Sequence, residues 1–145
     1  MKNQKEFLDI CIVQKKIMSS LYFKYHQYYI KNAIFWLTLA REERDHADLL
    51  NTITIDPLPH NLLEDDILNI KTSIDLMKKK HKKCLENQLK IEDAYNSVHF
   101  FETLAKEFFL EKIIASQTTD KHLTMIQGII KEDSIHADKI ISLIS

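Results

Sequence analysis

Two pairs of residues in this 145-residue chain have the types and spacing of a site that grips a cation: Glu43 with His46, and Asp133 with His136. Three positions apart on a helix, the members of a pair share one face and can reach the same ion. Their contexts repeat, EERDHAD around the first pair and KEDSIHAD around the second, while CIVQKKIM and HFFETLAK align Gln14 with Glu102. The first half of the chain thus resembles the second. This pattern predicts a twofold site with one pair on each side, completed by lone residues from two further helices, and it suits two metal ions better than one. Carboxylate oxygen and imidazole nitrogen fit iron, manganese or zinc, and the two cysteines, Cys11 and Cys84, form no C-x-x-C pair that would favour a softer ion. Gln14 would enter as a neutral amide offering only its carbonyl oxygen.

Each of these polar residues interrupts an apolar stripe of helical period. The first stripe runs through Phe7, Ile10, Cys11, Ile17, Met18, Leu21 and Tyr25, the second through Trp36, Leu39, Ala40, Ala47 and Leu50. NTITIDPLPHN then brings β-branched residues and both prolines, so the second helix should stop near Asn51. From about Glu64 an acidic start suits a helix N-terminus, and Ile67, Ile70, Ile74, Met77 and Leu85 continue as a connecting helix. Tyr95, Val98, Ala105, Phe109 and Ile113 form the third main stripe, and Ile126, Ile129, Ile130, Ala137, Ile140 and Ile144 the fourth, with Thr119 or Asp120 as its cap. About twenty helical residues span roughly 30 Å, enough for the connecting helix to return the chain to its starting end. The expected architecture is therefore an all-α four-helix bundle with short first and last turns and a long, partly helical crossover between the second and third main helices, formed by residues 1–145 as a single domain.

Composition agrees with this class. One glycine and two prolines are too few for turn-rich β architectures. A net charge of -1 gives no pull toward nucleic acid. The opening MKNQKEFLDI carries charge where a secretory signal needs an apolar run, and no apolar segment approaches the roughly 20 residues that span a bilayer, so a cytoplasmic protein with no membrane partner is expected. The basic run from Lys78 to Lys83 reads as a solvated helix face, and the tyrosines from Tyr22 to Tyr29 as core material.

An isolated buried carboxylate costs several kcal/mol or stays protonated, so several converging on one core require a compensating cation. With LAREERDHADLL at its centre, the pattern resembles the ferritin-like di-iron superfamily, rubrerythrin and bacterioferritin included, over nearly the whole chain. In that superfamily two helices each give a glutamate and two each give a Glu-x-x-His pair, which Glu43, His46, Glu102 and His136 match directly. Gln14 stands where a glutamate is usual, Asp133 is one methylene short of one, and Ala105 stands where rubrerythrins carry a second glutamate. The resemblance implies a ferritin-like bundle whose iron, two ions or else one, with manganese or zinc as substitutes, reacts with dioxygen or peroxide in an oxidoreductase supplied by a separate electron donor. Pairing of two chains through an exposed aromatic face is compatible with it. The alternative is a degenerate, metal-poor bundle kept as an interaction or regulatory module.

Overall fold

The computed structural model describes residues 2–52, 64–86, 89–105 and 120–144, with side chains over 6–52, 67–86, 89–104 and 123–143. Five helices account for them: α1 (Lys2–Tyr28), α2 (Ala33–Leu50), α3 (Glu64–Leu85), α4 (Ile91–Ala105) and α5 (Asp120–Ile144). The α2 end and the α3 start agree with the positions expected from the sequence. Pro57, Pro59, Phe109, Ile113 and Thr119 lie outside the described residues, as does the side chain of Ala105.

Short connection and apolar stripe together explain the α1–α2 hairpin. Phe7, Cys11, Met18, Leu21 and Tyr25 face inward from α1, and Trp36, Leu39, Ala40, Ala47 and Leu50 meet them from α2. Between the helices Asn32 adopts the left-handed conformation (φ 60°, ψ 32°), which asparagine tolerates better than most residues. Its carbonyl accepts the first helical bond from Trp36 N at 3.1 Å, and its side-chain amide donates to the Tyr95 hydroxyl at 2.7 Å, tying the turn to α4.

Contacts in ascending order, Glu6 with Lys71, Gln14 with Ser73 and Lys24 beside His81, show that α3 runs alongside α1 in the same direction. Helix α3 therefore carries the chain to the end of the bundle that holds the α1–α2 turn, and α4 starts there. Descending contacts, Tyr22 with Glu102, Tyr25 with Ser97 and Tyr29 with Leu89, set α4 antiparallel to α1. Pairing of Glu42 with His136 and His46 with Glu132 sets α5 antiparallel to α2. On α3, Ile70, Ile74, Met77 and Cys84 are buried, whereas Lys78, Lys79, Lys82 and Lys83 are exposed, as a solvated basic face requires. No helix among the described residues is long and apolar enough to cross a membrane.

Aromatic residues close one end of the bundle. Trp36 stacks on Tyr95 with ring centroids 5.3 Å apart and meets Tyr25 edge-on at 5.1 Å, geometries that add to the area these rings bury. Because Trp36 is fully buried and joins α1, α2 and α4, Trp36→Ala is expected to cost about 3–5 kcal/mol. Urea denaturation followed by circular dichroism checks this, and a change within error of zero would show that the cluster does not hold that end together.

Candidate metal centre

Each helix that surrounds the middle of the bundle sends one or two polar side chains into it. From α2 come Glu43 and His46, from α5 Asp133 and His136, and from α4 Glu102, all 6% exposed or less. The separation of three within each pair keeps its members on one helical face, so packing the apolar stripe inward carries both side chains with it.

Four of these residues, Glu43, Glu102, Asp133 and His136, offer ligand atoms that all lie within 4.8 Å of one another. His136 Nδ1 is 3.5 Å from Glu102 Oε1, 3.6 Å from Glu43 Oε1 and 3.9 Å from Asp133 Oδ1. These contacts are longer than hydrogen bonds. They are instead close to the separation of about 3.4 Å between donors that share a tetrahedral ion at about 2.1 Å. His46 Nδ1 lies beside these acids, 3.4 Å from Asp133 Oδ1 and 3.7 Å from Glu43 Oε2. Glu43 Oε1, Glu102 Oε2, Asp133 Oδ1 and both imidazole Nδ1 atoms are buried without a hydrogen bond. Such groups are rare in folded proteins unless something else satisfies them, and here they converge. The donor set fits a transition-metal ion.

On its outer side each imidazole is held by the opposite helix. His46 Nε2 donates to Glu132 Oε2 at 2.5 Å, and His136 Nε2 donates to Glu42 Oε2. A carboxylate can only accept, so each Nε2 carries a hydrogen and each Nδ1 points inward. Glu132 is half exposed and Glu42 partly so, which puts the imidazoles at the boundary between water and the dry centre. Tyr22, fully buried, donates to Glu102 Oε1 at 3.2 Å and steadies it.

From α1 the residue that enters the cluster is Lys15. Its side chain is 1% exposed, and Nζ lies 2.6 Å from Asp133 Oδ2 and 2.9 Å from Glu43 Oε2. Gln14, the residue expected from the sequence, donates from Nε2 to Ser73 Oγ of α3 at 2.7 Å, while its Oε1 is buried without a hydrogen bond. Three residues escaped the sequence reading. Lys15 carried a signal in its phase, three residues before Met18 and seven before Tyr22, both buried. Glu42 and Glu132 carried a clearer one, since each immediately precedes the acid of its pair.

The local electrostatics follow from this packing. Burial would favour neutral forms, but the Asp133, Glu43 and Glu102 carboxylates hold the Lys15 ammonium charged, raising its pKa. Against burial, Lys15 and the two imidazoles keep Glu43 well below the usual carboxylate range. Burial, reinforced by the Glu43 and Asp133 charges, pushes Glu102 well above that range. Burial opposes charge on the imidazoles, yet Asp133 and Glu43 raise His46 to about 10, and Glu102 and Glu43 raise His136 to about 11.

In the metal-free chain the raised imidazoles contribute stability that is complete below their ordinary 6.5 and lost as pH climbs through 10 and 11. The lowered Glu43 acts at the other end, contributing above 4.5 and losing that contribution as pH falls. Chelator-treated protein should therefore show a higher denaturant midpoint at about pH 5.5 than at about pH 8.5. The opposite order would mean that these imidazoles are neutral in the folded chain.

No family model, curated protein or solved structure matches this chain. Its own geometry establishes an all-helical bundle with a buried carboxylate and histidine cluster able to coordinate a metal ion.

Proposed function

We propose that this chain is a metal-binding protein of the ferritin-like kind, which holds one iron ion through Glu43, Glu102, Asp133 and His136 and acts as an oxidoreductase on dioxygen or peroxide. The observation that carries this reading is the pair of imidazoles, each fixed by an outer carboxylate while its inner nitrogen faces buried acids without a hydrogen bond. A metal-ligating histidine is oriented in this way, its second nitrogen donating to a carboxylate. Charge supports one ion rather than the two suggested by the sequence pattern. Three carboxylates against the Lys15 ammonium leave two negative charges, which one divalent cation neutralises.

Bound iron would supply one-electron chemistry toward the oxidant. The chain's own residues do the rest. Glu42 and Glu132 fix the imidazoles, Tyr22 orients Glu102, and the closed apolar packing above and below excludes bulk water. Two buried, separate cysteines make no iron site of their own, so a separate donor supplies electrons, and free thiols suit a reducing cytoplasm.

Elemental analysis of protein purified without chelators, followed by anaerobic ferrous titration, tests the proposal. Near-stoichiometric binding at about one ion per chain, lost in a Glu43→Ala, His136→Ala double variant and followed by an absorbance change on admitting air, is the expected result. Protein that ignores ferrous iron would overturn it. A finer check is Glu42→Gln, which should weaken metal affinity by about 10–100-fold by releasing His136, with the fold intact by circular dichroism. Unchanged affinity would mean that the outer carboxylate does not orient a ligand.

Lys15 supports a second reading, in which the bundle lacks metal and serves as an interaction module, with the ammonium and protonated imidazoles neutralising the acids. The ferrous titration separates the two.

A further inference from the structure

Resting on the metal reading above, we propose that Lys15 occupies the position of a second metal ion and so limits the site to one ion per chain. The two oxygens of Glu43 and of Asp133 divide the cluster into two sides. On one, Glu43 Oε1, Glu102, Asp133 Oδ1 and His136 Nδ1 face a common point. On the other, the Lys15 ammonium lies 2.9 Å from Glu43 Oε2 and 2.6 Å from Asp133 Oδ2, and His46 Nδ1 lies 3.7 Å from the same Glu43 Oε2.

His46 marks that second side as a ligand position. Its side chain is 2% exposed, its Nε2 is engaged by Glu132, and its Nδ1 is aimed inward with no hydrogen-bond partner. An ammonium carries only donors, so it can neutralise Glu43 and Asp133 but cannot use a nitrogen lone pair. A divalent ion at the same place would use it. What keeps the second side from ligating is one side chain from α1, and the residues that would hold the second ion are already in place.

Replacing Lys15 changes the charge in the direction a second ion requires. With Lys15→Glu the cluster has four carboxylates, the charge that two divalent cations balance. Lys15→Met removes the ammonium while nearly keeping its volume.

Anaerobic titration of the metal-free full-length chain with Co(II), read by its visible absorption and by elemental analysis after desalting, decides the matter. Wild type is expected to saturate at about one ion per chain, and Lys15→Glu and Lys15→Met at about two, a doubling that a merely structural lysine would not produce. Melting temperatures give a second readout: both variants should melt lower than wild type without metal and recover with Co(II), because the ion assumes the ammonium's role. Folded variants that saturate at one ion, or a wild type that takes two, would overturn the proposal while leaving the metal-binding reading intact. Variants that no excess of Co(II) can fold would also overturn it, since the ion then fails to replace the ammonium. A wild type that binds no Co(II) would instead sink the metal-binding reading itself.

Discussion

Charge neutrality in a dry interior is the constraint on which this structure depends. Glu43, Glu102 and Asp133 meet in the middle of the bundle with at most 1% of their surface exposed. Leaving even one such charge uncompensated costs about 3–5 kcal/mol, against a total stability of about 5–15 kcal/mol for an ordinary domain. Three unanswered carboxylates would remove most of the margin, so the chain cannot fold around them without cations. Lys15 answers part of the charge, and protons on the imidazoles and on Glu102 answer the remainder when no metal is bound. A metal that binds must displace some of those protons, which couples its affinity to pH.

The helices meet this constraint by dividing the work. Paired acids and imidazoles come from α2 and α5, whose antiparallel packing lets each imidazole reach the other helix's outer glutamate. α4 supplies one carboxylate and α1 one ammonium. Tyr22 joins these two helices through Glu102 and lies next to Tyr25, with ring centroids 6.4 Å apart, where the apolar aromatic end begins. α3 contributes from outside, because Ser73 engages the Gln14 amide while Lys15, one residue on, points elsewhere.

The fold and five of the cluster residues were legible in the sequence for one reason. A helix buries a stripe, so a polar residue within the stripe is carried inward, and Glu43, His46, Glu102, Asp133 and His136 each interrupt one. Aligning CIVQKKIM with HFFETLAK selected Gln14, because that alignment matches residue types rather than directions. Successive helical positions differ by about 100°, so the Gln14 amide meets Ser73 of α3 while the neighbouring Lys15 ammonium meets the acids. Lys15 was also hidden by its chemistry. A lysine beside an apolar stripe ordinarily extends its ammonium to water, and only the three acids opposite, distant in sequence, hold it inside. Glu42 and Glu132 were missed because their role appears only when the two helices lie antiparallel.

Similarity between the two halves of the chain is matched by an asymmetry that gives the site its character. Asp133 is shorter than Glu43, and the long Lys15 side chain reaches across from α1 to meet it at 2.6 Å. α4 presents an acid where α1 presents a base. One side of the cluster therefore holds a positive charge supplied by the sequence, which the surrounding carboxylates keep in place. On the other side the compensating charge is supplied by protons or by an ion, and it can vary. A near-symmetric arrangement with one constant and one exchangeable cation would keep the bundle folded with or without a metal ion, which a site dependent on two metal ions for its neutrality would not do.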